Sequence, residues 1–391
     1  MSNHTSSILL DSSSSGDAAS SEDVSASLEE RLDRFIPEPS LSVQIEDKWL
    51  LSSALQKLIR RGQRARAVAV ALQLYQADPR YLPRRLPIIA VEDIGLGDLS
   101  VCRDVMAVCS SSRWWQRDSR ATIAFVVDAM ASAVKSRAAC DLLCWAEVHS
   151  ESPPLLGVLL EHGRPGLVAI ACDRDRSRLE RSNALRVLGG ITRRTGANYE
   201  SLCKCDLPGL DLVAVQLRLP PLARAVIAQH RKSGNMASML PLAIEAALDR
   251  NVVAGGDFPK SLELVEGIPL CAVDMFSEVG RAALRDYFVN SKAVRAFAGH
   301  HIRKANPIRL LSMALFHAES GMLDRHLTSP ALDGIRDAVE QEEMRHLGMT
   351  DVAARTELRA ILTDEAGVLA ATRRHHVELH LQRRDHTTRC F

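Results

Sequence analysis

The chain has 391 residues, 46% of them hydrophobic and 25% charged, with a formal net charge of +1. This is the profile of a globular protein with enough chain for two or three domains, and no run approaches the ~18 uncharged apolar residues of a membrane helix. Nine cysteines without regular spacing argue against a disulfide framework, and no basic-then-apolar segment opens the chain, so a reducing, cytoplasmic setting is expected.

Aromatic residues are only 4%, so the core must be mainly Leu, Val, Ile and Ala, as in helix-on-helix packing. Residues 1–40 are Ser-rich and acidic with little to bury, and are expected to be disordered. Order is expected from Leu41, after the Pro37-Glu-Pro39 breaker. Leu51, Ala54, Leu55, Leu58 and Ile59 form one apolar stripe at helical spacing, and Gly62 ends that helix. A second helix is predicted over 64–77, burying Ala67, Val70, Ala71 and Leu74, and Asp78-Pro79 breaks it. A third turns Leu86, Ile89 and Ala90 inward and stops at Gly95. Asp98 suits the N-cap of a fourth helix, through about Cys109. The fifth, over 120–134, is apolar around much of its circumference and should be central. Trp114-Trp115 falls in the connection before it, where a packing role is expected.

Beyond residue 150 the pattern weakens. Residues 213–219 alternate in a way that suits a strand as well as a helix. Pro220-Pro221 opens a helix to His230, and Gly255-Gly256-Asp257 marks a loop and a boundary. Further helices are predicted over 273–290, 307–320, 332–347 and 351–362.

Charge is unevenly placed. Residues 1–46 carry nine acids against two bases, a net of −7, whereas 57–85 carry eight bases against Asp78, a net of +7. The basic block reads either as a solvated helix face or as a surface for an anionic partner such as nucleic acid. The acidic tail is then expected to shield it.

The most specific stretch is Arg84-Arg85-Leu86-Pro87-Ile88-Ile89-Ala90-Val91-Glu92-Asp93-Ile94-Gly95-Leu96-Gly97-Asp98. Together with Ser53-Ala54-Leu55-Gln56-Lys57 upstream and Ala133-Val134-Lys135-Ser136-Arg137 downstream, it makes residues 47–145 resemble the C-terminal helical region of the replication-associated recombination ATPases, which are relatives of clamp loaders. In that family an arginine pair precedes an apolar helix ending in a Ser-Glu-Asp-Ile-Gly-like signature. The region follows the ATPase module there and assembles subunits into a ring or collar. Here no Gly-x-x-x-x-Gly-Lys-Ser/Thr phosphate loop exists, so the resemblance implies an assembly module without its motor.

Read by themselves, Glu92 and Asp93 sit in a last helical turn, where the macrodipole disfavours anions. Arg84 and Arg85 lie about two turns away, too far for a direct bond along one straight helix, so a partner from another helix or another subunit is expected. Two readings stay open: a fold-stabilising network at a helix corner, or a subunit contact.

Other chemistry-bearing groups are thinner. His375, His376, His380, His386 and Cys390 crowd the C-terminus, but Arg373, Arg374, Arg383 and Arg384 oppose a cation, so a frayed basic tail without metal is expected. His300, His301, His317 and Glu319 could make a base or metal site if their segments meet. Cys140-x-x-x-Cys144 and Cys203-Lys-Cys205 lack second pairs and read as free thiols. Ser132-x-x-Lys135 and Lys232-Ser233-Gly234 match elements of penicillin-recognising enzymes, without the intervening element or the sheet, and read as a decoy.

The expected architecture is all-α: a disordered tail (1–40), a collar-like five-helix domain (41–150), a helical region (151–255), a second helical domain (256–365) and a basic tail (366–391). The expected function is a non-catalytic accessory or assembly factor for DNA replication, recombination or repair, self-associating through the collar-like helices, with no cofactor, no metal and no membrane partner. Arg60, Arg61, Arg64, Arg66, Arg84 and Arg85 are the candidate contacts to the DNA backbone, and Glu92 and Asp93 the candidate subunit contacts. Replication or repair proteins are the expected partners. The alternatives are a helical protein-interaction scaffold, or an enzyme with a site near His300, His301 and Glu319.

Overall fold

A computed structural model describes residues 21–36, 41–195, 198–248, 251–256, 263–302, 306–320 and 322–388. The protein is all-α, as expected. Its helices are α1 (Ser21–Arg34), α2 (Lys48–Arg60), α3 (Arg64–Ala77), α4 (Leu82–Ile89), α5 (Leu99–Ser110), α6 (Ser112–Ser132), α7 (Ala138–Val148), α8 (Ser152–Leu159), α9 (Arg164–Cys172), α10 (Arg178–Gly189), α11 (Leu207–Gln216), α12 (Pro221–Ala228), α13 (Leu240–Ala247), α14 (Glu278–Asn290), α15 (Lys292–His301), α16 (Pro307–Ser320), α17 (Pro330–His346), α18 (Val352–Asp364) and α19 (Ala366–Thr388). Short strands pair antiparallel: β1 (Ile191–Thr195) with β2 (Asn198–Cys203), β3 (Val252–Ala254) with β6 (His326–Thr328), and β4 (Leu264–Val265) with β5 (Ile268–Pro269). Among the described residues no helix is long and apolar enough to cross a membrane.

The chain forms two compact units, each drawn from three separated segments. The first comprises residues 1–36, 83–255 and 325–339, and the second residues 37–82, 256–324 and 340–391. Of the five helices predicted as one bundle, α2 and α3 therefore lie in the second unit, and α5 and α6 in the first.

In the first unit α6 is central. Ile123, Val126, Val127 and Met130 are all fully buried or nearly so. A kink at Asp118, whose φ and ψ are −158° and 94°, divides this helix, and the Asp118 carboxylate accepts from Ala121 N to start its second half. The first half contains Trp114 and Trp115, so the predicted connection is helical. Trp114 is buried and Trp115 donates to Val108 O at 3.3 Å, which is packing. Of residues 213–219, where strand and helix were both open, 213–216 form the end of α11, started by the Asp206 side chain on Gly209 N, and 217–219 lie in the turn beyond it.

The second unit buries Leu284, Tyr287, Phe297, Leu311, Leu358 and Leu369 in one cluster from α14, α15, α16, α18 and α19. Two expectations of disorder fail. Residues 21–34 are helix α1, because Leu28 and Leu32 lie one turn apart and find a surface to cover; residues 1–20 lie outside the described set. The tail from 366 is helix α19, because Leu369, Arg373 and Val377 make a buried stripe at i, i+4, i+8. The His386 side chain and Cys390 lie outside the described residues.

A charged helix corner as the candidate functional site

In the first unit the resemblance-bearing residues build one corner. Helix α4 widens into a π turn over Ala90–Ile94, then a tighter 3-10 turn over Gly95–Gly97 leads to Asp98. The Asp98 carboxylate accepts from Ser100 N and Val101 N, starting α5 as the sequence predicted. The two glycines are steric requirements. Gly95 has φ +44°, and a Cβ there would stand 2.9 Å from Ser136 O. A Cβ on Gly97 would stand 2.1 Å from Val134 O. Segment 134–136 can therefore run hard against the corner, where Ser136 N donates to Asp93 O at 2.9 Å.

Lys135 follows the end of α6 and is fully buried. Its ammonium donates to Met130 O at 3.1 Å, to Ala131 O at 2.9 Å and to Ala133 O, which places a cation where the helix dipole is negative. Ser132 is exposed, so Ser132 and Lys135 form no nucleophile and base pair. Ser233 donates to His230 O, and Lys232 contacts the Ser110 hydroxyl. The decoy reading stands.

Arg137 closes the corner. Its Nη1 donates to Asp93 Oδ1 at 2.6 Å and to Glu92 Oε1 at 3.2 Å, while Nη2 reaches Cys140 Sγ at 3.4 Å. Asp141 lies 3.8 Å from Arg137 Nε and 4.0 Å from Arg336 Nε, and Arg85 Nη2 lies 3.8 Å from Glu92 Oε2. Burial alone would push the Arg137 guanidinium down, but Cys140, Asp93, Glu92 and Asp141 outweigh it and hold it well above the ordinary arginine value. Asp93 is fully buried and Glu92 half-buried, both bound within their own chain. Asp93, fully buried and held by Arg137, has no free face for a second chain, whereas Glu92 is half-buried and is held by Arg137 and Arg85. Arg85 does reach Glu92, because residues seven apart share a helix face and both side chains are long.

The second unit places the remaining segment in a separate network. Ser53 and Lys57, one turn apart on α2, both hold Asp274, with Ser53 Oγ at 2.8 Å from Oδ2. Arg61 is buried; it donates weakly to Lys57 O and Glu319 O at 3.4 Å and to Met322 Sδ at 3.3 Å. Arg373 on α19 grips Glu319 with both terminal nitrogens, at 2.6 and 3.3 Å. Arg60 is 2% and Arg61 3% exposed, so neither can present a guanidinium to a phosphate, which corrects that expectation. Arg60 is the last residue of α2 and Arg61 its C-cap, both on the buried side of the helix end. Arg64 and Arg84 are exposed, and Arg66 and Arg85 half-buried. Asp274 and the pairing of Arg373 with Glu319 escaped the sequence reading; for Asp274 the signal was a Ser and a Lys on the buried side of a helix, which demands an acid.

The histidines take separate partners. His301 meets Glu357 at 3.0 Å, His317 meets Glu343, and Glu319 is committed to Arg373. In α19, His376 lies 3.2 Å from Asp286 and His380 3.8 Å from Asp47. Among the described residues no group of three or more His, Cys, Asp or Glu is placed to hold a metal. Cys140 and Cys144 bring their sulfurs to 3.9 Å on one face of α7, and hydrogen bonding with Cys140, then burial, pushes the Cys144 thiol well above its usual value. No protein-family model, curated protein or solved structure matches this chain.

Proposed function

We propose that the protein is a non-catalytic helical scaffold that works by binding protein partners on the outer faces of its helices. The observation that carries this reading is the closure of the motif charges. The groups expected to meet DNA or another subunit, Arg60, Arg61, Glu92 and Asp93, are spent inside the fold. What the first unit turns outward on the helices flanking α10 includes apolar side chains: Val158 of α8 is 57% exposed, and Leu212 and Val215, one turn apart on α11, are 45% and 49% exposed.

The test is chemical crosslinking of tagged full-length protein, as wild type and as Leu212→Asp/Val215→Asp, with light scattering on both. A crosslinked partner, or a second copy, that disappears in the variant is the expected result. The same preparation is titrated with duplex DNA at low and high salt. Salt-sensitive binding that falls when Arg64, Arg66 and Arg84 become Glu would overturn the scaffold reading in favour of an accessory factor at DNA.

A further inference from the structure

Helix α1 lies on α5 and α6 through contacts that have the form of a recognition code. Leu28 and Leu32 are the only side chains buried among those described on this helix. Phe35, just past its end, sets its ring edge-on to Phe125 of α6, with centroids 5.6 Å apart. Each leucine is followed by an acid that meets an arginine of α6: Glu29 lies 3.3 Å from Arg113, and Asp33 2.6 Å from Arg117. Acids four apart on one helix thus face bases four apart on the other. In the opposite sense, Arg31 pairs with Asp104 of α5 and stands 5.3 Å from the Phe125 ring centroid, with Asp104 braced by Arg103. Among the described residues of the acidic N-terminal segment, Glu29 and Asp33 thus meet arginines of α6.

The anchorage is thin. Two leucines are buried, and both acid–base pairs to α6 are about half exposed, where ion pairs add little. A 14-residue helix is also near the lower limit of what forms alone in water, so α1 depends on the surface it covers.

We propose that the α5–α6 face is a docking site for an acidic amphipathic helix of a partner protein, with leucines four apart each followed by a carboxylate, and that α1 is the built-in competitor for it. Charge complementarity selects the occupant. Arg113 and Arg117 ask for carboxylates at i, i+4, Asp104 for one basic residue between them, and Phe125 for an aromatic group at the end. Because α1 is tethered, its effective concentration is in the millimolar range, so a partner helix with the same contacts binds the intact chain far more weakly than the uncovered face. The inference deepens the scaffold reading and rests on it for its purpose, but it uses a different surface from the α11 pair.

The probe is a fluorescein-labelled synthetic peptide of residues 21–36, titrated by anisotropy. The proteins are the full chain, full-length Leu28→Asp/Leu32→Asp, and that variant with Arg113→Glu/Arg117→Glu added. The leucine variant should bind the peptide at least tenfold more tightly than wild type, and the arginine substitutions should weaken that binding at least tenfold, as should 0.5 M salt. Circular dichroism verifies that each variant is folded. Should the leucine variant fail to fold, excess peptide is added to the wild-type chain, and amide exchange across 24–34 should rise as α1 is displaced. A folded leucine variant that binds no better than wild type, binding indifferent to Arg113 and Arg117, or unchanged amide exchange, would overturn the proposal. Loss of peptide binding with α11-dependent crosslinking intact would remove this inference and leave the scaffold reading in place.

Discussion

The sharpest consequence of the corner concerns Arg137 and Asp93. Replacing Arg137 by Met keeps most of the volume and removes the charge, leaving Asp93 at zero exposure without its 2.6 Å donor. Two unit charges about 4 Å apart attract by about 4 kcal/mol at an effective dielectric of about 20. Breaking a buried pair from one side is accordingly expected to cost about 3–5 kcal/mol, since the survivor keeps its desolvation penalty. Asp93→Leu should cost a similar amount. The double variant Arg137→Met/Asp93→Leu removes both charges and should lose at least about 2 kcal/mol less than the sum of the singles. Denaturant unfolding of the full chain, followed by circular dichroism at two protein concentrations tenfold apart, measures all four corners of the cycle. The losses should be independent of concentration, because every partner belongs to one chain. Additive singles, or a loss that fades as concentration rises, would refute the intrachain network and restore a subunit contact.

Three further outcomes follow from the same geometry. Gly97→Ala places a Cβ 2.1 Å from Val134 O and should cost about 1–3 kcal/mol, visible as a lower melting temperature; an unchanged melt would mean that segment 134–136 yields freely. The hydrogen bonds from Arg181, at 2.8 and 2.7 Å, hold the Glu245 carboxyl below its usual range, so its contribution is present above about pH 4.5 and lost as pH falls through its folded value. Glu245→Gln should therefore be less stable at pH 7 yet lose less between pH 5 and 3, and parallel stability curves would contradict this. Burial pushes the His230 imidazole down, and its Nε2 donates to Gly189 O at 2.8 Å, so the unfolded chain binds the extra proton and stability should rise from pH 5 to 7.5. His230→Gln, which can keep the donor, should flatten that rise in thermal melts, and an equally steep rise would contradict it.

Helices α2, α3, α5 and the second half of α6 were legible because periodicity, breakers and caps are local. Asp98 caps α5, and Gly62 and Asp78-Pro79 end their helices, through interactions within a few residues. What stayed hidden depends on partners far along the chain. Lys57 and Asp274 are 217 residues apart, Arg373 and Glu319 54, and Arg137 and Asp93 44. Without those partners, an arginine on α2 looks like surface and an arginine-bearing stripe on α19 looks like a frayed tail. Helix α1 was missed for another reason. Averaging composition over 40 residues submerged a two-leucine stripe whose value depends on having α5 and α6 to cover. The π turn at Ala90–Ile94 left no local mark beyond Pro87 before it and Gly95 after it.

The corner and the α1 surface are mechanically linked, which gives the buried charges a bearing on recognition. Asp98, at the edge of the corner, starts α5, and Lys135 binds the last carbonyls of α6, so both helices that carry α1 are pinned at one end by the same few residues. Asp104 lies six residues beyond the Asp98 cap on α5, and Phe125 lies in the half of α6 that Lys135 holds, whereas Arg113 and Arg117 lie before the Asp118 kink. In some proteins a buried ionic network contributes more to a unique arrangement than to stability. Here uniqueness matters because three ion pairs and the aromatic contact of Phe35 must be met together. Loosening the corner with Arg137→Met should raise amide exchange in α1 along with α5 and the end of α6. Leu28→Asp/Leu32→Asp should release α1 while the corner stays protected. The reverse order, with the corner opening whenever α1 leaves, would place α1 and not Arg137 at the base of the arrangement.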